Sequence, residues 1–169
     1  MNVLPLIVGL ISIFVFATTW TVLVGGPWMP TRNHQVKTML ELADVGEGDT
    51  VYDLGCGDGR VLISAARDYG AKAVGIEFSF LLYLVSKLRI FLLGLGDRVM
   101  VKHGNIFNAE LSGATVVTCY LLQGTTDRIV TKLVSECVPG TRIVSNNFPM
   151  TEMEPVQQTG RIFLYRIAS

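Results

Sequence analysis

A glycine-rich turn follows a short apolar stretch, and the residue types around it are suited to ligand binding. Residues 51–60 read Val-Tyr-Asp-Leu-Gly-Cys-Gly-Asp-Gly-Arg. Glycines remove the side chains that keep a ligand away from the backbone, and a helix after such a turn presents free N–H groups and the positive end of its dipole. Glu77 lies further along the chain, after a second apolar stretch, where its carboxylate can accept hydrogen bonds from two ribose hydroxyls. The pattern predicts a site for a nucleoside-like cofactor.

The spacing of the glycines separates two classes of cofactor. A dinucleotide-binding turn has the order G-x-G-x-x-G, whereas Arg60 occupies the sixth position here. The observed order, G-x-G-x-G with Asp53 ahead of it, resembles motif I of the seven-strand methyltransferases that bind S-adenosylmethionine. The resemblance implies that Asp53 helps to hold the cationic amino group of this cofactor, directly or through water. The cofactor-binding residues predicted in this segment are Asp53, Gly55, Cys56, Gly57 and Gly59.

Strand and helix patterns alternate after residue 35, which predicts a parallel sheet with helices on both faces. The fold class is therefore α/β, a Rossmann-like seven-strand methyltransferase sheet that is mostly parallel, with an antiparallel last strand. Strands are predicted at 50–54, 73–76, 99–103, 115–119, 141–145 and 161–167, with a short piece near Val156. Helices are predicted near 36–43 and at 59–69, 80–93 and 126–136.

Ligands bind such sheets at the carboxyl ends of the strands, where Glu77, Asn105 and Tyr120 are predicted to lie. Methyltransferases often have an Asp at the position of Asn105 that accepts a hydrogen bond from the adenine amino group, and an amide oxygen can do the same. An ordinary turn residue is the alternative for Asn105. Phe78 and Ile106 are predicted to contact the two faces of the adenine, with a core position as the alternative for Phe78.

An uncharged stretch opens the chain, since the first 31 residues contain no Asp, Glu, Lys or Arg. The apolar run 4–24 has the length needed to cross a bilayer and predicts a transmembrane helix, with a cleaved signal peptide as the alternative. The predicted domains are therefore an anchor over 1–27 and a methyltransferase domain over 28–169. Arg32 and Lys37 follow the run. By the positive-inside bias they predict a single-pass membrane protein whose catalytic domain faces the cytoplasm.

The composition limits the other classes of function. Fourteen acidic and fourteen basic residues cancel, which disfavours an electrostatic grip on nucleic acid. Cys56, Cys119 and Cys137 are widely spaced and form no metal-binding pattern. We therefore predict no metal, no nucleic-acid partner, and reduced thiols that fill space. Asp58 and Arg60 are predicted to pair with each other at the start of a helix, without a catalytic role.

Several segments beyond the glycine turn are similar to one family, the small membrane-anchored lysine methyltransferases. These enzymes include those that methylate the ATP synthase c subunit and the adenine nucleotide translocase. The resemblance implies N-methylation of a lysine on a membrane protein. The segments that carry it are 28–31, 53–60, 75–78, 120–122 and 144–150.

The acceptor side of the site is predicted from this arrangement. Tyr120, at the end of the fourth strand, is predicted as the catalytic residue that orients the amine or faces the sulfonium, and its ring can stabilise a cation. A core tyrosine with a satisfied hydroxyl is the alternative. The residues predicted to line the acceptor channel are Trp28, Pro30, Asn147, Phe148 and Pro149.

The segment 78–93 is apolar nearly all round but too short to span a membrane. Burial against the sheet is the simplest interpretation. We predict instead that its outer face rests on the bilayer surface or on a second copy of the chain. Three functions remain open from the sequence: a membrane-tethered protein lysine methyltransferase, a methyltransferase of a lipid or small hydrophobic molecule, and a non-catalytic module that binds S-adenosylmethionine.

Overall fold

The computed structural model describes residues 3–5, 7–9, 12 and 29–168. Helices and strands alternate along most of the chain from residue 29 to 146, and two further strands follow without a helix between them. The helices are α1 (Asn33–Leu42), α2 (Arg60–Asp68), α3 (Phe80–Leu92) and α4 (Gln123–Glu136), with a 3-10 turn at Ile106–Asn108. The strands are β1 (Thr50–Leu54), β2 (Lys72–Glu77), β3 (Val99–His103), β4 (Val116–Cys119), β5 (Arg142–Asn146), β6 (Gln157–Thr159) and β7 (Ile162–Arg166).

The strands form one seven-stranded sheet in the order β3-β2-β1-β4-β5-β7-β6. Strands β1 to β5 pair in parallel, while β7 runs antiparallel to both β5 and β6. This confirms the predicted seven-strand methyltransferase sheet. Strand β1 pairs with β2 on one side and β4 on the other, so the strand order reverses beside it. Ligands bind parallel sheets at such a switch point, beyond the carboxyl ends of the strands.

Each face of the sheet buries its own apolar cluster, because successive side chains of a strand point to opposite faces. Val51 and Val144 lie in the cluster that includes α1 and α2. Leu54 and Ile143 lie in the other cluster, with the apolar face of α4. Val36, Met39 and Leu40 recur at helical spacing and are buried. The helix predicted near 36–43 from this spacing is therefore confirmed as α1, which begins earlier, at Asn33.

Gly75, in the middle of β2, lets the sheet, α2 and the glycine turn pack closely. A Cβ atom built on Gly75 would lie 2.5 Å from Leu62 Cδ1 and 2.6 Å from Cys56 Sγ. These contacts are too close to be relieved without moving the turn, because Cys56 belongs to it. The glycine is therefore required by close packing at this position.

Replacing Gly75 with Ala is expected to lower the free energy of unfolding by about 1–3 kcal/mol, because an added methyl group over-packs a filled core. Gly48→Ala is the matched control, since a Cβ at Gly48 would meet nothing within 4 Å. Urea unfolding of both variants measures the difference. Equal midpoints for Gly75→Ala and the native protein would contradict this packing.

The N-terminal apolar run is where the sequence prediction needs correction. In the parts of the chain that the structure describes, no helix is both long enough and apolar enough to cross a membrane. This finding contradicts the predicted transmembrane helix over 4–24 and the single-pass localisation that depended on it. Most of that run, and Trp28, lie outside the described residues. Hydropathy records the lack of charge, whereas a span also requires about 20 residues in one continuous helix.

Candidate active site

The glycine turn between β1 and α2 forms one wall of the candidate site. Gly55, Gly57 and Gly59 have φ angles of +79°, +55° and +78°, a region that side chains other than glycine rarely adopt. The backbone N–H of Gly59 donates to the carbonyl of Cys56 at 2.9 Å, which closes the turn. Helix α2 begins at the next residue, Arg60. The sequence folds this way locally because three left-handed positions in five residues require glycine.

Glu77 ends β2 beside this turn and is buried, with 7% of its surface exposed. Its Oε2 accepts a hydrogen bond from the Gly57 N–H at 2.8 Å, and its Oε1 accepts one from the Ser79 N–H at 2.7 Å. A carboxylate has about four lone-pair sites, so acceptor capacity remains for a ligand. The structure therefore brings Glu77 to the glycine turn, as the sequence predicted.

Asp53 lies one residue before the end of β1 and is buried. Its carboxylate accepts a hydrogen bond from the Thr118 hydroxyl at 2.8 Å. Burial raises the pKa of Asp53 to about 7; the bond from Thr118 lowers it, and the charges of Glu77 and Asp58 raise it further. No cationic side chain is among the causes of the shift. The site thus holds a costly buried carboxylate that a ligand cation would stabilise.

A narrow cleft brings Asp53 and the glycine turn together with Tyr120 and the segment 29–31. Among the predicted site residues it is lined by Pro30, Asp53, Gly55, Cys56, Gly57 and Tyr120, and it is completed by Met29, Thr31, Met39, Asp58, Arg60 and Val61. The structure therefore brings together the glycine turn and Asp53, which were predicted to hold the methionine part of the cofactor, with the predicted catalytic Tyr120 and the predicted channel residue Pro30.

Arg60 fixes segment 29–31 against the glycine turn. Its Nη1 donates to the carbonyl of Thr31 at 2.6 Å, and its Nη2 pairs with Asp58 Oδ2 at 2.8 Å. Arg89 of α3 also pairs with Asp58, at 2.6 Å. Burial alone would raise the pKa of Asp58, but the bond and charge of Arg60 and the charge of Arg89 lower it. The predicted Asp58–Arg60 pair is confirmed, and it also positions the chain that covers the cleft.

The residues predicted to contact adenine follow the carboxyl ends of β2 and β3. Phe78 is exposed and follows Glu77, and Ile106 is buried in the 3-10 turn after β3. Asn105 is exposed, and its Oδ1 accepts a hydrogen bond from the Phe107 N–H at 3.0 Å. Asn105 therefore caps the short 3-10 turn, which is the alternative role considered for it. Contact of these three residues with adenine stays a prediction.

On the acceptor side, Tyr120 and Phe148 face each other across the ends of β4 and β5. Their ring centroids are 6.2 Å apart. Asn147 has a φ of +71°, a conformation that asparagine tolerates better than most residues, so its residue type has a backbone explanation. Pro149 is exposed, and its carbonyl accepts a hydrogen bond from Gln123 Nε2 at 2.7 Å. The channel role of these residues stays a prediction, and Trp28 is not described.

Two polar partners of the site were missed from the sequence. Thr118 lies in register with Asp53 on the neighbouring strand, and the link from Thr31 to Arg60 joins residues far apart in the chain. The prediction of a fourth strand could have indicated Thr118, because pairing the ends of β1 and β4 places the two residues together. No local signal indicates the Thr31 contact.

The three cysteines and the possible metal ligands were also compared with the structure. Cys56, Cys119 and Cys137 are buried free thiols, and burial raises the pKa of Cys119 to about 12, so its thiol stays protonated near neutral pH. Over the part of the chain described from 29 to 168, and the few described residues before it, no group of three or more His, Cys, Asp or Glu side chains could hold a metal ion.

The residues of the cleft fit S-adenosylmethionine. The glycine turn leaves the backbone accessible, and a Cβ atom on Gly55 would approach Leu121 Cδ2 to 3.3 Å. Among the described residues no cation shifts the pKa of the buried Asp53, and the cofactor's ammonium group would supply one. Glu77 has acceptor capacity left for a ribose. When bound, this cofactor supplies a methyl group attached to a positively charged sulfur.

Comparisons with known proteins agree with this fit. The family model described as the ANTKMT methyltransferase domain matches residues 53–157. A protein-lysine N-methyltransferase of Saccharolobus islandicus (strain REY15A) is 42% identical over 130 residues, which cover 76% of this chain and 81% of the relative. A lysine N-methyltransferase of Caenorhabditis elegans, named for the ATP synthase c subunit, is 31% identical over 132 residues, covering 75% of this chain and 68% of the relative.

A solved structure is similar over most of the fold. It is an RNA methyltransferase from Salinibacter ruber in complex with S-adenosyl-L-homocysteine, with a TM-score of 0.81 and 39% sequence identity, covering 83% of this chain and 94% of that one. The residues 53–157 that match the family model include the glycine turn, Glu77 and Tyr120. The chain therefore belongs to the ANTKMT methyltransferase domain family and is an S-adenosylmethionine-dependent methyltransferase.

Proposed function

We propose that this enzyme N-methylates a lysine side chain of a protein. The observation that carries the proposal is the 42% identity to a protein-lysine N-methyltransferase, over 81% of that relative's length. The relative from Caenorhabditis elegans is also named as a lysine N-methyltransferase. Two relatives with the same type of acceptor, each matched over most of this chain, support lysine more than any other acceptor.

The cleft offers what transfer to an amine requires. The amine must be neutral and aligned with the methyl group, and alignment alone can contribute about 7 kcal/mol or more. A lysine has a pKa near 10.4 in water, and an apolar environment favours its neutral form. Tyr120 and Phe148 form such an environment beside the cleft. The Tyr120 hydroxyl then orients the amine, while Asp53 and Glu77 hold the cofactor.

We also propose that the acceptor lysine belongs to a membrane protein. The relative from Caenorhabditis elegans is named for a component of ATP synthase. Support from this chain comes from α3, which begins three residues after Glu77 and carries an exposed apolar face. Phe91 is 77% exposed and Leu92 is 71% exposed, and α3 contains no Asp or Glu. Such a face suits an apolar protein substrate. Pairing of two copies through segment 78–93 stays a prediction.

The test is to incubate the pure enzyme with S-adenosylmethionine carrying a labelled methyl group and with an extract of the source cells. Label on lysine, located by mass spectrometry in membrane-fraction proteins, is the expected result. Label in the organic extract would favour a lipid or small hydrophobic acceptor instead. Label in RNA would favour the activity for which the Salinibacter ruber structure is named, an outcome that the balance of fourteen acidic and fourteen basic residues disfavours.

Tyr120→Phe is expected to lower kcat for methyl transfer by about tenfold, because a hydrogen bond that orients the acceptor contributes about 1.5 kcal/mol. The cofactor Kd should stay within about twofold, since the ring is kept and the hydroxyl faces the acceptor. Single-turnover assays and calorimetry measure the two quantities. Tyr52→Phe is the control, because Tyr52 lies on the face of the sheet away from the cleft and packs against the cluster that contains Leu54 and Ile143. Unchanged kcat in Tyr120→Phe would remove the hydroxyl from the mechanism.

A further inference from the structure

Asn146 carries a buried amide for which the described part of the chain offers no hydrogen-bond partner. The residue is 0% exposed, and neither its Nδ2 nor its Oδ1 has a partner among the described residues. Of the buried side chains in that part of the chain, no other has such an unpartnered atom. Native proteins rarely bury a polar group in this way, because an unmade hydrogen bond keeps the full cost of desolvation. An amide retained at that cost needs a partner that arrives from outside the fold.

The sheet register places Asn146 beside the cleft. Ser145 pairs with Cys119 across β5 and β4, so the next position in register brings Asn146 next to Tyr120. Residues paired across parallel strands point to the same face of the sheet. Tyr120 lines the cleft together with Asp53. Asn146 therefore lies on the cleft face of the sheet, at the carboxyl end of the strand that leads to Phe148.

The neighbourhood of Asn146 explains why its amide is sheltered from water. Val144, two residues earlier on the same face, packs in the core cluster that includes Val36 and Met39 of α1. Met39 also lines the cleft, together with segment 29–31. That segment is held in place by the bond from Arg60 to the Thr31 carbonyl. The amide thus lies between the core packing of α1 and the cleft-lining Tyr120, which keeps it from bulk water.

We propose that Asn146 positions the acceptor amine, an inference that rests on the proposed lysine methylation. Its Oδ1 accepts one N–H of the neutral amine, and the Tyr120 hydroxyl oxygen accepts the other N–H from the neighbouring strand. The amide Nδ2 remains available to a bound water molecule. The amine lone pair is then left free and points away from both hydrogen-bond partners.

A neutral amide suits this task better than a carboxylate. An adjacent carboxylate would stabilise the ammonium form and raise the pKa of the amine, whereas an amide oxygen orients the amine without adding charge. The amine nitrogen forms a bond to the methyl carbon while the carbon–sulfur bond breaks and its electron pair goes to sulfur. The positive charge passes to nitrogen, and the methylated ammonium releases a proton to water.

Asn146→Leu tests the proposal, because leucine has nearly the same size and cannot hydrogen-bond. The full chain carrying this variant is expected to melt at the native temperature or higher, since removing an unpaired buried polar group is neutral or stabilising. Its kcat/KM for methyl transfer should fall at least about tenfold, with the Kd for S-adenosylhomocysteine within about twofold. Asn108→Leu, an exposed position, is the matched control and should keep native activity. Asn146→Asp should lose activity at neutral pH and regain it as the pH rises, because its carboxylate raises the amine pKa.

Two results would overturn the role of Asn146. One is a kcat/KM for Asn146→Leu within about threefold of the native value. The other is a large fall in melting temperature with lost cofactor binding, which would show that the amide has a structural partner. A second measurement needs no turnover: n-butylamine, which has the chemistry of the lysine side chain, is titrated into protein with ¹⁵N-labelled asparagine and saturated with S-adenosylhomocysteine. The Asn146 side-chain resonance, identified by its absence in Asn146→Leu, should shift, and no shift would refute the proposal.

The failure of the proposed function is distinguishable from the failure of this inference. If the native enzyme labels an acceptor other than lysine, the lysine assignment falls, and the ratio of Asn146→Leu to native activity on that acceptor still decides the positioning role. If the native enzyme labels lysine while the variant does so equally well, the function stands and the role of Asn146 falls.

Discussion

Glu77→Ala is expected to weaken the binding of S-adenosylmethionine by at least about 100-fold. Hydrogen bonds to a charged group contribute about 1.5–3 kcal/mol each, and a ribose offers two hydroxyls. The variant also removes the acceptor of the Gly57 and Ser79 N–H groups, so the glycine turn loses the side chain that fixes it. Both effects act on the same end of the cofactor site, which makes this the largest single loss that we expect.

Calorimetric titration with S-adenosylhomocysteine measures the Kd, and thermal unfolding separates loss of binding from loss of fold. Glu110→Ala is the control, because Glu110 is exposed and bonds only to the Ser112 hydroxyl in the described structure. A Kd for Glu77→Ala within about fivefold of the native value, with an unchanged melting temperature, would mean that the ribose is held elsewhere.

Asp53 is expected to make cofactor binding depend on pH. Burial raises the pKa of Asp53 to about 7 in the free protein, so its carboxyl group is partly protonated at neutral pH. The cationic amino group of the cofactor favours the ionised form, and binding must therefore release a proton below pH 7. The affinity should rise with pH up to about 7, by at most about tenfold per pH unit, and then level off.

Asp53 also sets the direction of a stability change in the free protein. Its pKa in the folded state is raised from the ordinary 3.8 to about 7, so between these values the folded state binds more protons than the unfolded state. The contribution of this group to stability is therefore fully present below about pH 4 and is lost as the pH rises through 7.

Asp53→Asn tests both consequences, because an amide keeps the oxygen that accepts from Thr118 and removes the titration. The variant should bind the cofactor at least about tenfold more weakly at pH 8, with an affinity that varies little between pH 5.5 and 7.5. Its free protein should lose less stability than the native protein over the same pH range. Asp97→Asn, at an exposed position, is the control. A native pH dependence that survives in Asp53→Asn would assign the titration to another group.

Most elements of the fold could be predicted because each depends on a local pattern. Strands β1 and β3 match the predicted bounds, Thr50–Leu54 and Val99–His103, since β-branched runs between glycines and polar residues are distinctive. Helix α4 begins at Gln123, three residues before its predicted start. Gly124 lowers the helix propensity of the first turn and hides that start in the sequence, while the bond from the Thr126 N–H to the Leu122 carbonyl secures it.

Some residues of the candidate site could likewise be predicted from local patterns, and others could not. Gly55 and Glu77 could be predicted, because a glycine turn and a carboxylate at a strand end are read directly from spacing. The bond from Thr118 to Asp53 could not, because 65 residues separate them in the chain. The transmembrane prediction was wrong for a different reason: it depended on composition alone, and no helix among the described residues is long and apolar enough to cross a membrane.

The amino-acid sequence by itself determined the sheet, the class of cofactor and the family. These follow from periodicity and from glycines whose backbone angles no other residue adopts easily. Only the tertiary structure decided the polar contacts in and around the cleft: Thr118 on Asp53, Arg60 on the Thr31 carbonyl, and a buried Asn146 amide that has no partner among the described residues. Burial and hydrogen-bond partners depend on contacts between distant segments, and crossing connections between parallel strands create those contacts only when the sheet is assembled.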